Sequence, residues 1–344
     1  MKRQSQTRWW FRQLGRILLY LAIGIGFAAC SVSIEGSKPD VSITLASFVV
    51  TRAAHDAIIP KFQAKWQQEH HQRVHFRQSY GGSGAQTRAI IDGLPADIAH
   101  LALGLDMDKL VEAGLIEPGW EQEFPNQSIV SQSVAALIVR EGNPKKIQTW
   151  ADLTQPGVQV ITADPRTSGV ARWNFLALWH AARQAYRDHR QATEFLTKVF
   201  RNVPILARDA REATDIFLKQ GRADALINYE NEVLLALARG QKLEYRVPSV
   251  NIAITHPIAI VDQNVDKHGN REVVEAFVNF LYTPEAQAEF TKAGFRPVMG
   301  KPDPAFPAIP NLGTIEDYGG WVAVQAQFFA DGAVFDQIQT ELRR

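Results

Sequence analysis

In this chain of 344 residues, three short turns contain residues whose types and spacing could bind a small ion. They read GGSG at 81–84, TSG at 167–169 and RDAR at 208–211. Each precedes a helix-like run, and the first two also follow strand-like runs. Such turns present backbone N–H groups at the positive end of a helix dipole, where small anions bind. Because no phosphate-loop lysine accompanies them, the pattern predicts a site for a free anion, not a nucleotide.

The predicted ligand groups are backbone amides and serine hydroxyls. Ser83 offers an N–H and a hydroxyl, and glycines on either side of it permit close backbone approach. Ser168 offers a hydroxyl at a predicted N-cap, and the next residues offer free amides. The candidate ligand residues from these turns are Gly82, Ser83, Ser168, Gly169, Val170 and Ala210.

Two other interpretations of these turns stay open. Glycine and serine are also common in plain tight turns and helix caps that bind nothing. A serine in a glycine-rich turn can be a hydrolase nucleophile, but the pattern GGSGA at 81–85 lacks the last glycine of a nucleophile elbow. Histidine and aspartate do not follow at the positions a triad would need, so a hydrolase is disfavoured.

Charge and composition limit the class of partner. The chain is 46% hydrophobic and 21% charged, with a net charge of +1, which is typical of a globular protein. Five basic residues and no acidic residue lie at 1–30, so residues 31–344 carry 32 basic and 36 acidic side chains. The resulting net charge of about −4 excludes a typical nucleic-acid-binding protein. Local dipoles, not the overall charge, must attract an anion.

Residues 1–29 are predicted to be an export signal. Basic residues precede an apolar run at 17–29 that ends in small residues, and the run is too short for a comfortable membrane span. The chain's single cysteine, Cys30, follows at once. This arrangement resembles a bacterial lipoprotein cleavage site, so we expect Cys30 to be lipidated and residues 30–40 to be a linker. Ordinary cleavage nearby is the alternative.

Beyond residue 40 the chain alternates between strand-like and helix-like segments. Predicted strands lie at 42–50, 73–78, 95–103, 159–162, 203–206 and 225–229, with helices at 52–69, 84–91, 107–113, 168–187 and from about 210 and 231. This alternation predicts an α/β fold with largely parallel sheets. Two extended stretches, 133–140 and 252–261, are candidate crossover strands between two lobes. We expect residues 41–132 and about 256–344 in lobe 1 and residues 133–255 in lobe 2.

Histidine and aromatic clusters invite other hypotheses. His70, His71 and His75 are close in sequence, but their spacing is not that of a zinc site, so exposed side chains are expected. The aromatic residues of the C-terminal quarter, Phe290, Phe295, Trp321, Phe328 and Phe329, are expected to pack in the core. A docking face for a membrane partner is the alternative for that cluster.

Many ordered runs resemble the periplasmic sulfate-binding proteins of ABC importers over nearly all of the chain beyond the signal. The runs are YGGSGAQ (80–86), REGNPK (140–145), WADL (150–153), PGVQVIT (156–162), PRTSGVARWN (165–174), YENE (229–232), LYTPE (281–285), FRP (295–297) and GGW (319–321). The resemblance implies a type II-like, two-lobed binding protein in which crossover strands join the lobes. Such a protein closes on a dianion and then delivers it to a membrane permease.

The resemblance also extends the set of site residues and exposes three departures. It places Tyr229 where the family has a tryptophan, Val49 where it has an aspartate, and Val170 where it has a glycine. Arg211 and Arg172 are carried over as supporting residues. Because sulfate near neutral pH carries no proton, it requires donors only. The lost carboxylate at Val49 thus favours sulfate, whereas Tyr229 could accept a hydrogen bond from phosphate, which still carries a proton.

The sequence therefore predicts an extracytoplasmic, lipid-anchored, monomeric protein that binds sulfate or thiosulfate for an inner-membrane permease. No enzyme activity, metal, cofactor or nucleic acid is indicated. A binding module for another oxyanion such as phosphate or molybdate, or a sensor or structural lipoprotein, remains the alternative.

Overall fold

The structure is a computed structural model that describes residues 38–300 and 303–344. The predicted signal sequence, Cys30 and most of the predicted linker lie outside these residues. No helix in the described ranges is long and apolar enough to cross a membrane.

Twelve strands build the sheets. In chain order they are β1 (Val41–Phe48), β2 (Val74–Gly81), β3 (Ile98–His100), β4 (Ile129–Ser133), β5 (Ala135–Val139), β6 (Val160–Ala163), β7 (Ile205–Ala207), β8 (Ala225–Tyr229), β9 (Glu244–Arg246), β10 (Val250–Ile252), β11 (Ile254–Ile260) and β12 (Asn311–Gly313), all within the described part of the chain.

Helices separate most of the strands. They are α1 (Arg52–His70), α2 (Ser83–Ile91), α3 (Gly104–Glu112), α4 (Gly169–Tyr186), α5 (His189–Arg201), α6 (Ala210–Leu218), α7 (Glu230–Ala238), α8 (Asp262–His268), α9 (Arg271–Leu281), α10 (Pro284–Lys292), α11 (Gly320–Val324) and α12 (Val334–Leu342). A short 3-10 turn, Val49–Thr51, leads into α1.

Two five-stranded sheets define two lobes, so the predicted two-lobed α/β fold is confirmed. The first sheet has the order β2-β1-β3-β11-β4 and the second β7-β6-β8-β5-β9. In the first, β1 is parallel to β2 and β3, and only β11 runs against its neighbours. In the second, β6 is parallel to β7 and β8, and β5 is the reversed strand. The parallel strands place their carboxyl ends, and the helix N-termini that follow, at one edge of each sheet.

The chain crosses between the lobes at two single residues. Val134 separates β4 of the first sheet from β5 of the second, and Ala253 separates β10 from β11. Asn251 binds both crossings together: its side-chain amide donates to the carbonyl of Ala135 at 2.8 Å and accepts from the Ala135 N–H at 3.2 Å. The two crossings therefore lie side by side and are joined by hydrogen bonds.

The last part of the chain differs from the expected division. Residues from about 311 onward were expected in lobe 1, yet β12 pairs with β10, and Arg166 of the second lobe binds Asp336 of α12 at 2.8 Å. The aromatic side chains explain the placement. Phe335 packs on Phe200 of α5, so the C-terminal segment buries its apolar face against the second lobe.

Helix α4 is the most buried helix of the second lobe. Its side chains Trp173, Phe175 and Trp179 are at most 1% exposed, which its long apolar run predicts. Of the C-terminal aromatic residues, Phe290, Phe295 and Phe328 are also at most 1% exposed. The expectation of core packing holds for these three.

Candidate functional site

Four segments that begin helices meet at one small cavity between the lobes. From the first lobe come the first residues of the Val49–Thr51 turn and of α2, and from the second lobe the first residues of α4 and α6. The positive ends of helix dipoles from both lobes therefore point toward the cavity. The cavity is narrow: the volume that the centre of a water-sized sphere can reach is about 10 Å³. Its lining is Phe48, Val49, Val50, Gly81, Gly82, Ser83, Ala102, Ser168, Gly169, Val170, Asp209, Ala210 and Tyr229. All eight residues that the sequence proposed as ligands are in this set.

At three of these helical segments, the first backbone N–H groups receive no hydrogen bond from the side chain of the N-cap residue. Phe48, Gly82 and Ser168 occupy N-cap positions in extended conformations, and none of their side chains caps the following turn. Backbone N–H groups in a first helical turn have no partner within the helix. They are therefore available to an acceptor in the cavity.

Ser168 differs from its expected behaviour as a cap. It does occupy the N-cap of α4, but its hydroxyl makes no capping hydrogen bond. With 5% of the residue exposed, that hydroxyl is free to donate into the cavity, and it contributes nothing to the helix as a cap.

Tyr229 ends β8 and places a phenol against the cavity. The residue is 1% exposed, and its hydroxyl has no hydrogen-bond partner among the described residues. Burial, followed by the charges of Asp106 and Glu232, raises its pKa well above the ordinary value. The phenol therefore stays neutral and keeps its proton for donation.

Ser83 uses its hydroxyl to hold the first lobe together. The hydroxyl donates to Asp106 Oδ2 at 2.6 Å and accepts from the N–H of Ala102 at 2.9 Å. Because both capacities are used inside the first lobe, Ser83 faces the cavity with its backbone amide. The same bonds leave the hydroxyl without a histidine base, which argues against a hydrolase nucleophile.

Asp209 is the one acidic residue in the cavity lining, and both of its oxygens are engaged. Its Oδ1 accepts from the N–H of Glu212 at 2.9 Å, and its Oδ2 lies 3.5 Å from Arg208 Nε. At Val49 the lining offers an amide and an apolar side chain. The cavity therefore presents mainly hydrogen-bond donors.

Two glycines allow the lobes to approach each other around the cavity. A Cβ on Gly82 of the first lobe would lie 2.6 Å from the carbonyl oxygen of Thr167 in the second. A Cβ on Gly169 of the second lobe would lie 2.6 Å from the Cβ of Ala102 in the first. The structure is thus a closed cleft that only glycine at these positions permits.

The two supporting arginines lie behind or outside the cavity. Arg211 binds Glu232 at 2.7 Å and lines a wider groove of about 570 Å³ that continues outward from the cavity. Arg172 donates to the carbonyl of Pro165 and to Gln325, each at 2.9 Å. Burial lowers the pKa of Arg172, while the negative Asp106 acts in the opposite direction. Neither arginine is among the residues that line the cavity.

The candidate metal residues are dispersed. His70 stacks on Trp66, and His75 lies 3.0 Å from Asp40. No cluster of three potential metal ligands occurs among the described residues.

Sequence reasoning missed three residues around the site. Asp106 holds Ser83, Ala102 connects to it, and Trp173 donates its indole N–H to the Ala102 carbonyl at 2.9 Å. Only Asp106 gave a signal in the sequence, because it directly precedes the predicted helix at 107–113. The other two act through contacts between residues that are far apart in sequence.

Two α/β lobes that close on a donor-lined cavity define the class: this is a two-lobed binding protein for a small anion. Residues 43–296 match the family described as bacterial extracellular solute-binding protein. The sulfate-binding protein of Synechococcus elongatus is 52% identical and covers 97% of this chain and 98% of its own length. The thiosulfate-binding protein of Pseudomonas aeruginosa is 36% identical, covering 93% and 96% respectively.

A solved structure agrees with these relatives. The sulfate-binding protein SubI from Mycobacterium tuberculosis superposes with a TM-score of 0.76 at 36% identity, over 84% of this chain and 99% of SubI. The chain belongs to the sulfate-binding group of the bacterial extracellular solute-binding proteins. These relatives are all named as binding proteins.

Proposed function

We propose that this protein binds sulfate or thiosulfate in the closed cleft and serves as the solute-binding component of an ABC importer. The observation that carries the proposal is the buried hydroxyl of Tyr229, which has no partner among the described residues and lies in a cavity where four helical N-termini meet. Relatives named for sulfate and thiosulfate binding support the ligand class.

The proposed ligand groups match an anion that carries no proton. Backbone amides can only donate, and the proposed ones belong to Val49, Ser83, Gly169, Val170 and Ala210. Gly82 lets the two lobes come close around them. The hydroxyls of Ser168 and Tyr229 add two more donors. A fully deprotonated oxyanion accepts from all of them, whereas an unpaired acceptor facing it would be repelled.

Local dipoles can stabilise the anion without a positively charged residue in the cavity. Each helix N-terminus contributes about 0.3–1 kcal/mol toward a negative charge, and up to about 2 kcal/mol when partly buried. Hydrogen bonds to a charged group contribute about 1.5–3 kcal/mol each. Because both lobes supply donors, the anion favours the closed state by contacting the two lobes together.

Phosphate is a second candidate because of one feature of Tyr229. A phenol oxygen can accept a hydrogen bond as well as donate one, and hydrogen phosphate carries a proton near neutral pH. If Tyr229 turned its proton away from the cavity, its oxygen could accept from such an anion.

Calorimetric titration with sulfate, thiosulfate, phosphate and molybdate between pH 6 and 8 separates these candidates. We expect tight sulfate or thiosulfate binding whose affinity does not change with pH. Phosphate binding that changes with pH, in the absence of sulfate binding, would contradict the proposal. Failure of every anion to bind would favour a diverged module with a sensor or structural role.

We also propose that the protein works outside the cytoplasm as a monomer, anchored by a lipid on Cys30. The small residues before this single cysteine support anchoring, and the family's extracellular description supports the compartment. Mass spectrometry of the membrane fraction is expected to find an acylated N-terminal Cys30. The Cys30→Ala variant is expected to appear in the soluble fraction, and an unmodified, soluble wild type would exclude the anchor.

A further inference from the structure

We propose that Trp173 is a positioning residue that couples closure of the lobes to the anion-binding turn at Ser83. The inference rests on the proposed function, because it assigns a role within that same site. It starts from one hydrogen bond: the indole N–H of Trp173 donates to the carbonyl of Ala102 at 2.9 Å, and both residues are at most 1% exposed.

This hydrogen bond joins the two lobes. Helix α4 is fixed to the second sheet by Asn174, which donates to Thr162 Oγ1 at 3.0 Å and to the carbonyl of Ile227 at 2.9 Å. Ala102 lies just beyond β3 of the first sheet, where the neighbouring Leu101 N–H donates to the carbonyl of Pro257. The Trp173 bond therefore forms only when the lobes are closed.

Ala102, which accepts the Trp173 hydrogen bond, also helps to hold Ser83 in the anion-binding turn. The N–H of Ala102 donates to the Ser83 hydroxyl at 2.9 Å, and that hydroxyl donates to Asp106 at 2.6 Å. Both backbone groups of Ala102 are thus used, one toward Trp173 and the other toward Ser83. Closure fixes Ala102, and Ala102 fixes the residue whose amide faces the cavity.

A second tryptophan shields this contact. Trp321 packs edge-on against Trp173 with ring centroids 4.7 Å apart. It also lies against the start of α3, because a Cβ on Gly104 would come within 3.1 Å of its ring. The two rings fill the space between α4 and α3 and keep water from the Trp173–Ala102 bond, which strengthens it.

The Trp173→Phe variant tests the role because it keeps an aromatic ring and removes the N–H. With sulfate as the probe, we expect Kd and the dissociation rate to rise about 5- to 20-fold. The association rate is expected to stay unchanged, since the bond is absent from the open state. The melting temperature without anion is expected to fall, because a smaller ring leaves a gap in the core, so the test depends on the binding rates.

Trp150→Phe is the matched control. Trp150 is 4% exposed and donates its indole N–H to the carbonyl of Val250 at 3.0 Å, a bond that remains within the second lobe. This variant is expected to melt at a lower temperature and to bind sulfate with unchanged rates. A Trp173→Phe variant that behaves like Trp150→Phe would overturn the inference.

A measurement of closure separates this inference from the proposed function. Spin labels on cysteines that replace the exposed Lys65 and Lys219, with Cys30→Ala, report the distance between the lobes. We expect Trp173→Phe to lower the closed fraction with sulfate and also without any anion. If the wild type ignores sulfate, the proposed function fails, and the closed fraction without anion still tests Trp173. An unchanged closed fraction would exclude its role.

Discussion

At the scale of single residues, Tyr229 shows that a group needed for binding can lower the stability of the folded protein. A buried hydroxyl without a partner costs about 1–3 kcal/mol, and the hydroxyl of Tyr229 is in that position. An anion in the cavity would supply the missing acceptor. The free energy that the unpartnered hydroxyl costs the closed form without anion is thus recovered as affinity when an anion binds.

Tyr229→Phe removes only this hydroxyl. We expect affinity for sulfate to fall by about 1.5–3 kcal/mol, the worth of a hydrogen bond to a charged group. Thermal stability without anion is expected to be unchanged or slightly higher, because an unpaired buried group is lost. Titration calorimetry and thermal unfolding measure the two effects.

Tyr282→Phe is the control for this prediction. Tyr282 also carries a buried hydroxyl without a partner among the described residues, but it does not line the cavity. Its replacement is expected to leave sulfate affinity unchanged. Equal affinities for the wild type and Tyr229→Phe would remove Tyr229 from the proposed ligands.

The residues of the site were predictable where a local pattern marks them. Ser83, Ser168 and Ala210 lie in turns that open helices, and each turn can be found from its own few residues. The cavity could not be predicted in the same way, because Asp106 and Ala102 support Ser83 through contacts made only in the folded chain. The direction of the Ser83 hydroxyl follows from those contacts, not from its turn.

At the scale of elements, alternation of strands and helices predicted most strands of the two five-stranded sheets but missed β4 and β9. The strand at 225–229 matches β8 at both ends, and the predicted helix at 84–91 begins one residue after the start of α2. The C-terminal segment was different. Its aromatic residues predict burial, but no periodicity says which lobe they will face, and contacts such as Phe335 with Phe200 decide it.

Gly82→Ala tests whether the turn before α2 must contact the second lobe. Gly82 has φ −63° and ψ 143°, which alanine adopts freely, so stability without anion is expected to stay the same or rise slightly. In the closed cleft the added Cβ would lie 2.6 Å from a backbone oxygen of Thr167. We expect sulfate binding to weaken by about 1–3 kcal/mol, measured by calorimetry.

The neighbouring Gly84→Ala variant serves as the comparison. A Cβ on Gly84 would lie 3.7 Å from the same Thr167 oxygen, an ordinary contact. Its affinity is expected to remain close to that of the wild type. If Gly82→Ala also bound sulfate like the wild type, the closed cleft would not be the binding-competent form.

At the scale of the whole molecule, a buried histidine cluster in the first lobe makes the free energy of unfolding depend on pH. His55 lies 3.1 Å from His100, and Ser131 lies between His100 and His256 at 3.5 Å and 3.0 Å. All three histidines are fully buried. Burial lowers the pKa of His55 and His256 to about 3, and that of His100 well below its ordinary value.

The sign of the resulting pH dependence follows from proton uptake. Below about pH 6.5 the unfolded chain protonates these histidines, whereas the folded protein keeps His55 and His256 neutral down to about pH 3. The stability they contribute is therefore present above pH 6.5 and is lost as the pH falls toward 3. Glu123 acts in the opposite direction, because burial, with the negative Asp262 nearby, raises its pKa to about 7. Comparing the pH dependence of a histidine variant with that of the wild type separates the contribution of one histidine from that of groups such as Glu123.

His256→Asn should make the stability of the whole protein less sensitive to acid. Asparagine can keep a hydrogen bond to Ser131 in place of His256 Nδ1, and it removes the ring nitrogen Nε2 that has no partner among the described residues. The variant loses stability at pH 7 through lost packing. Between pH 6 and 4, however, its free energy of unfolding is expected to fall less steeply than the wild type's, by about 1.4 kcal/mol per pH unit. Urea unfolding at several pH values measures both slopes. Equal slopes for the wild type and His256→Asn would mean that His256 takes up a proton in the folded protein, and that its surroundings are more polar than the buried cluster indicates.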